Sequence, residues 1–328
     1  MKENKIYYSE IFGNTIQGEG QYTGVPTVWI RFFLCNLECA GFGQDTPSKP
    51  ETYKSLESKL IDLVNITDIK DLPVFEYGCD SAYSVAKRYK HLQKHETVSE
   101  IVDRIQALLP DGKFFHPVTK QPIHFAFTGG EPMINQDAIV QILEEFSKRD
   151  MKLKYVTFET NGTKPIKQNL VDCLVQKIDM ESLEVLWSVS PKLLHTAGEQ
   201  RKKAIKPENF SDYYHELINW CKWSGRWSSA NDSFYDLIKM QIKFVANGTE
   251  ETWNEINEVI ALCNEYDLKY RRDKITFWIM PVGGTLEGQE GKIEGHIGAG
   301  QIADEAIKRG FNVAARVHNY LWSNVVGK

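Results

Sequence analysis

The chain has 328 residues, of which 42% are hydrophobic and 25% charged, with a formal net charge of −5 and a pI near 6.0. These values fit a globular protein of one large domain or two smaller ones, and exclude a strongly basic nucleic-acid binder or a cationic membrane-surface protein. No apolar run reaches the roughly 18 residues of a membrane span, and Met1-Lys-Glu-Asn-Lys-Ile-Tyr7 lacks an apolar signal core, so a cytoplasmic location is expected.

After Tyr7-Tyr-Ser-Glu-Ile-Phe12 comes Gly13-Asn-Thr-Ile-Gln-Gly-Glu-Gly20, read as a glycine-rich loop with two polar side chains, Gln17 and Glu19. Such a loop fits either a plain turn or a backbone that approaches a ligand closely. Val28-Trp-Ile-Arg-Phe-Phe-Leu34 then reads as a buried strand, with Arg31 alone among apolar neighbours. A buried arginine must be paired, so it is either a structural ion-pair member or a clamp for a carboxylate ligand.

Residues 40–78 look inserted: Gly41, Gly43, Pro47 and Pro50 open the stretch and a charged, amphipathic piece (Tyr53 to Ile69) follows. Thr97-Val-Ser-Glu100 is a capping box for a helix through about Leu109. From there strands and helices alternate. The expected strands are Ile123–Phe127, Lys154–Phe158, Leu183–Val189, Met240–Val245, Ile275–Ile279 and Asn312–Arg316. The expected helices run over about Gln136–Lys148, Gln168–Ile178, Trp253–Tyr266 and Gln301–Lys308. A polar, Trp-rich interval, about 193–236, interrupts the alternation. It carries Gln200-Arg-Lys-Lys203 and Trp220-Cys-Lys-Trp-Ser-Gly-Arg-Trp227, and is read as an inserted lid or subunit contact because the overall charge is acidic.

Repeated strand–helix alternation argues for a parallel sheet, whose ligands bind at the carboxyl ends of the strands. Cys35, Gly130, Glu159, Ser190 and Pro281 each follow a strand and are expected on one rim. Six cysteines in a chain of this size point to metal binding or catalysis rather than disulfides. Cys35 and Cys39 sit where a strand gives way to a loop, and three thiolates, with Cys79 as the third, suit an iron–sulfur cluster. Cys173, Cys221 and Cys263 lie in helix-like settings and are read as structural. His116, His124 and His195 have no metal-ligand spacing and are given no role.

Taken in order, these motifs resemble the radical S-adenosylmethionine superfamily and, within it, the 7-carboxy-7-deazaguanine synthase family. The resemblance is carried by Glu10-Ile-Phe, Ile16-Gln-Gly-Glu-Gly20, Tyr22-Thr-Gly-Val-Pro26, Arg31-Phe and Cys35-Asn-Leu. Thr128-Gly-Gly-Glu-Pro132, Glu159-Thr-Asn-Gly-Thr163, Ser190-Pro-Lys192 and Lys243-Phe-Val245 continue it. It spans about residues 6–320, interrupted at 40–78 and 193–236, and implies one domain over 1–328 with the partial, TIM-like β/α barrel of the radical S-adenosylmethionine type.

The resemblance implies a lyase that contracts 6-carboxy-5,6,7,8-tetrahydropterin to 7-carboxy-7-deazaguanine, with loss of ammonia, in 7-deazaguanine (queuosine or preQ0-type) biosynthesis. It implies a [4Fe-4S] cluster held by Cys35, Cys39 and Cys79, with S-adenosylmethionine on the open iron as the radical source. The cofactor would be held by Gly78, Cys79, Asp80, Gly130, Glu131, Glu159, Thr160, Asn161, Ser190, Pro191 and Lys192. The pterin would be read by Ile16, Gln17, Gly18, Glu19 and Thr128, with its carboxylate on Arg31; Arg316 and His318 are weaker candidates. Ser81 stands where the family usually has a threonine ligand to Mg²⁺ and keeps the hydroxyl. The expected partners are an electron donor such as flavodoxin or ferredoxin and a second copy of the chain in a homodimer, with neither membrane nor nucleic acid. The departure from the family is spacing, since 39 residues separate Cys39 from Cys79. The alternatives are a radical activase of a glycyl-radical enzyme and a non-catalytic binding protein derived from the fold.

Overall fold

Alternation of side chains along the strands decides how this chain packs. The computed structural model describes residues 5–54, 65–72, 77–85, 87–223, 232–266, 268, 274–283, 286–289, 297–323, 325 and 327. Its strands are β1 (Ile6–Ile16), β2 (Pro26–Phe32), β3 (Lys94–Glu96), β4 (His124–Gly129), β5 (Tyr155–Thr160), β6 (Glu184–Val189), β7 (Ile238–Ala246), β8 (Ile275–Pro281) and β9 (Asn312–Val313). The helices are α1 (Val98–Ala107), α2 (Gln136–Lys148), α3 (Gln168–Glu181), α4 (Leu194–Ala197), α5 (Arg201–Ala204), α6 (Pro207–Trp223), α7 (Glu250–Glu265), α8 (Leu286–Gln289), α9 (Ala299–Lys308) and α10 (Val317–Trp322). None of these is long and apolar enough to cross a membrane.

The strands form one sheet in the order β3-β1-β2-β4-β5-β6-β7-β8-β9. From β2 to β9 every pairing is parallel, while β1 runs antiparallel to both β2 and β3. The outermost strands, β3 and β9, do not pair with each other. Successive side chains on a strand point to opposite faces. On one face Phe125, Phe127, Val156, Phe158, Val185, Trp187, Met240, Ile242 and Phe244 pack against the helices in a single core. Rings run across this face, with Phe127–Phe158, Phe158–Trp187 and Trp187–Tyr213 centroids at 5.4, 4.4 and 4.8 Å. Each such pair is worth about 0.5–1.5 kcal/mol beyond its area burial.

The other face is polar. Glu184 and Ser188 of β6, Glu159 of β5, and Lys239, Gln241 and Lys243 of β7 hydrogen-bond one another or the segment that follows β1. That segment lies along the sheet interior. Tyr22 packs on His124 and Tyr155 where β4 and β5 begin, the Gln21 amide donates to Gln241, and Glu19 reaches Lys243 further up the strand.

Several elements differ from expectation. The first half of Gly13–Gly20 continues β1 to Ile16, and a register shift between Phe12 and Thr15, with Asn14 at φ 55°, absorbs the glycine. Strand β3 is three residues long, too short to show a pattern. Strand β9 stops at Val313, and Arg316 caps α10 instead of ending the strand. The interval 193–236 supplies α6, the crossover helix between β6 and β7, whose Phe210, Tyr213, Tyr214, Leu217 and Ile218 join the main core. Its residues 224–231 lie outside the described residues, as do 55–64 and 73–76 of the stretch 40–78.

His124 is buried in this architecture, stacked on Tyr155 at 4.2 Å and edge-on to Tyr22 at 4.7 Å. Burial, helped by Lys239, lowers its pKa from 6.5 to about 4. The folded chain therefore requires the neutral ring. Its contribution is present above pH 6.5 and is lost as pH falls toward 4, a change on the order of 3 kcal/mol. In urea melts, the stability difference between His124→Phe and wild type should shift in favour of the variant by that amount between pH 7 and 4. A pH-independent difference would refute this.

Candidate active site

The polar segments expected on one rim do line one cavity of about 790 Å³. Its wall contains Ile16, Gln17, Gly18, Glu19, Arg31, Cys35, Cys39, Gly78, Cys79, Asp80, Ser81, Thr128, Gly130, Glu159, Thr160, Asn161, Ser190, Lys192, Arg316 and His318. Of the residues expected there, Glu131 and Pro191 are buried behind it. At the end of β8 the wall is made by Met280, Val282 and Gly283 rather than Pro281.

Cys35 follows β2, and Cys39 follows within the same loop. Cys79 returns to the same wall after the long excursion, where the Gly78 amide donates to the Phe42 carbonyl at 2.7 Å. The loop is backed by Gly130, where a methyl group would sit 2.3 Å from the Leu34 carbonyl oxygen and 2.8 Å from Cys35 Cβ. Gly130 is therefore required by the cysteine loop that crosses it, whatever ligand it faces. Glu131 acts behind the wall. Its carboxylate, fully buried, accepts from the Met133 amide (3.0 Å), Thr160 Oγ1 (2.6 Å) and the Asn161 amide (2.7 Å). Burial raises its pKa, partly offset by those donors. It fixes Asn161, whose Nδ2 lies 3.7 Å from Cys35 Sγ and 3.3 Å from Asn36 Oδ1. The Leu37 amide donates to Cys35 Sγ at 3.4 Å.

Burial pushes all three thiols up, Cys79 to about 12 with Asp80 adding to the shift, while Lys192 acts on each in the opposite direction. Lys192 Nζ also donates to Ser190 Oγ at 3.0 Å. Among the described residues no three His, Cys, Asp or Glu side chains gather round one point as ligands to a single ion would. An iron–sulfur cluster asks something different, because each thiolate binds its own iron. Three thiols on one wall, with amide donors aimed at sulfur and a lysine nearby, fit such a cluster. Cys173 and Cys263 belong to the apolar core, as expected, and Cys221 lies outside the described side chains.

Charges of alternating sign run along the cavity floor. Lys243 Nζ bridges Glu19 (2.9 Å) and Glu159 (3.0 Å), and Glu159 also accepts from Ser188 Oγ (2.8 Å) and Gln17 Nε2 (3.0 Å). Arg316 stands between Glu19 (3.4 Å) and Asp80 (3.3 Å). Burial alone would raise the Glu19 carboxyl, yet Lys243 and Arg316 hold it below the ordinary range. Burial disfavours the Lys243 charge, but Glu159 and Glu19 outweigh it and raise its pKa. Arg31 proves to be paired. Its Nε donates to Glu10 (2.8 Å), its Nη1 to Ser81 Oγ (2.9 Å), and its plane lies against the Phe12 and Tyr83 rings. Its Nη2 has no acceptor among the described residues, and Arg31 lines the cavity.

Lys243 was not among the expected site side chains. The logic applied to Arg31, a lone cation in an apolar strand that must be paired, would have found it. Glu199, treated below, has no comparable local signal.

No protein-family model matches the chain. It is 28% identical over 171 residues to the 7-carboxy-7-deazaguanine synthase of Bacteroides thetaiotaomicron, covering 52% of this chain and 56% of the relative. Against the protein of the same name from Halobacterium salinarum the identity is 21% over 332 residues, 98% of this chain and 90% of the relative. The chain resembles 7-carboxy-7-deazaguanine synthases. Apart from the halobacterial match, it spans about half the length of these curated relatives, as in Koribacter versatilis (51%). A candidate glycyl-radical enzyme activating enzyme of Methanocaldococcus jannaschii is also similar, at 28% over 130 residues, covering 36% of this chain and 48% of the relative.

The bridged lysine is directly testable. In Lys243→Met, which keeps the bulk and removes the charge, Glu19 and Glu159 lose the ammonium between them, leaving Glu19 with Arg316 and Glu159 with the neutral donors Ser188 and Gln17. Stability by chemical denaturation should fall by roughly 3–5 kcal/mol. A loss below about 1 kcal/mol, the level of a surface pair, would show that Lys243 is not the bridge. Gly130→Ala should likewise destabilise the chain, with a faster alkylation of Cys35 than in wild type, because the cysteine loop must move off the added methyl group.

Proposed function

We propose that the chain is a radical S-adenosylmethionine lyase that converts 6-carboxy-5,6,7,8-tetrahydropterin into 7-carboxy-7-deazaguanine. The observation that carries this reading is the convergence of Cys35, Cys39 and Cys79 with the loops after β4, β5 and β6 on one cavity. The curated relatives bearing the synthase name add to it. In this reading the sheet is the incomplete barrel of the radical S-adenosylmethionine type, and residues 1–328 form one domain.

The [4Fe-4S] cluster and S-adenosylmethionine, when bound, supply the radical chemistry; the protein supplies binding, orientation and shielding. Cys35, Cys39 and Cys79 would be the cluster ligands, and they must give up their protons, so assembly releases protons and is favoured by Lys192 beside the thiols. Gly78, Asp80, Gly130, Glu159, Thr160, Asn161, Ser190 and Lys192 would face S-adenosylmethionine, with Glu131 and Pro191 holding that wall from behind. Gln17 has a fixed amide, donating to Glu159 and accepting from the Glu19 N–H at 3.3 Å, so its orientation is set before substrate arrives. Arg31, whose Nη2 has no acceptor among the described residues, would take the substrate carboxylate, and Ile16, Gly18, Glu19 and Thr128 would complete the pterin side. The Ser81 hydroxyl and Asp80 carboxylate, both on the wall, are oxygen ligands of the kind Mg²⁺ takes. A low-potential electron donor such as flavodoxin or ferredoxin, a homodimeric assembly and a cytoplasmic setting belong to the same proposal.

The test is anaerobic reconstitution with iron and sulfide, followed by addition of S-adenosylmethionine, Mg²⁺, a reductant and the carboxytetrahydropterin. The expected result is 7-carboxy-7-deazaguanine and a cluster signal in electron paramagnetic resonance, both reduced to background in Cys79→Ala. An intact cluster without product refutes the substrate. Full cluster in Cys79→Ala refutes the ligand set. Turnover seen only with a large glycyl-radical partner would assign the alternative activity.

A further inference from the structure

We propose that Glu199 is the positioning residue for Cys39, and that the segment 194–204 is the dock on which the cysteine loop and its long excursion are built. This rests on the reading of Cys39 as a cluster ligand. The loop it holds is conformationally costly. Leu34, before the first cysteine, has φ 84°, and Cys39 itself has φ 51°, a region that side chains with a Cβ seldom adopt. Such conformations persist only where surrounding groups over-determine them.

For Cys39 that group is Glu199. One oxygen, Oε1, accepts from both the Glu38 amide (2.6 Å) and the Cys39 amide (2.8 Å). The other, Oε2, is held by Lys203 Nζ at 3.1 Å from the next turn. The carboxylate is buried, and its pKa falls, since burial is outweighed by the two amide bonds and Lys203. Charge-assisted bonds of this kind are about twice as strong as neutral ones.

Two residues further on, the same segment takes the root of the excursion. The Gly41 amide donates to the Ala197 carbonyl at 3.0 Å. A Cβ on Gly41 would lie 2.6 Å from the Gly198 nitrogen, so the two glycine backbones cross in direct contact. Leu37, Cys39, Ala197 and Ala204 then form a small apolar cluster of their own, with Cys35 and Cys79 packed against it. The cysteine loop is held by residues of the β6–α6 connection, with Glu199 160 positions beyond Cys39 in the chain.

The experiment uses the full chain, metal-free and reconstituted, in wild type, Glu199→Ala, Glu199→Gln and Lys203→Ala. In the metal-free protein, maleimide labelling of Cys39, read by peptide mass spectrometry, should accelerate at least about tenfold in Glu199→Ala, the effect of losing even one of the two charge-assisted bonds from a loop that must open to react. Glu199→Gln keeps a carbonyl oxygen for both amides but loses the charge that strengthens them, so it should fall between wild type and Glu199→Ala, while Lys203→Ala should stay near wild type. After anaerobic reconstitution, iron and sulfide per chain should fall in Glu199→Ala and be partly restored in Glu199→Gln. If Glu199→Ala shows no cooperative melt, Glu199→Asp, one carbon too short to reach the amides, takes its place with the same expectation.

Equal labelling and loading of Glu199→Ala and wild type would overturn the positioning role while leaving the proposed function intact. Loss in Glu199→Gln equal to that in Glu199→Ala would overturn it as well, by showing that a side-chain oxygen accepting from the two amides does not hold the loop. A wild-type chain that takes up neither iron nor sulfide would sink the cluster itself, and this role with it.

Discussion

One buried lysine organises the interior. Lys243 is 2% exposed, and an unpaired ammonium there would cost several kcal/mol. It is kept by two carboxylates that arrive from distant parts of the chain, Glu19 after β1 and Glu159 at the end of β5. The bridge ties the segment after β1 to the centre of the sheet. That segment then fills the polar face from Tyr22 upward and presents Gln17 and Gly18 to the cavity. The two faces of the sheet thus do different work, with aromatic packing against helices on one and ion pairs enclosing a cavity on the other.

The cysteine loop depends on the same economy of charge, applied at a smaller scale. Its first thiol is approached by the side chain of Asn161, whose backbone amide is held by buried Glu131. Its second is held through backbone amides by Glu199. Two carboxylates with no direct access to the cavity therefore set where the sulfurs stand. Hydrogen bonds and charge near thiolate sulfur govern the potential of iron–sulfur centres. In the proposed cluster site, the surroundings of Cys35 and Cys39 would therefore matter as much as the thiols.

Much of the sheet was legible from local pattern. Strands β4 to β8 and helices α1, α2, α3, α7 and α9 fall close to where apolar periodicity and the Thr97–Glu100 capping box place them. Glycine-rich punctuation after the strands also pointed to a common rim. Strand β3 is too short to carry a pattern, and α6 was hidden because three of its five core residues, Phe210, Tyr213 and Tyr214, are aromatic and set among charges. Arg31 was recognised as needing a partner; that the partner is Glu10 required coordinates.

What the sequence determined on its own is the alternation of strands and helices, the identity of the strand-end residues and the presence of three cysteines in loops. These are local properties, written in side-chain period and residue type. Only the tertiary structure decided that Cys79 rejoins Cys35 and Cys39 across the excursion, that Glu131 and Pro191 stand behind the wall, and that Lys243 and Glu199 hold it together. The physical reason is range. Periodicity reports the few residues that share a turn or a pleat, whereas a buried charge finds its counter-charge wherever the fold delivers one, here 84 and 224 residues away for Lys243.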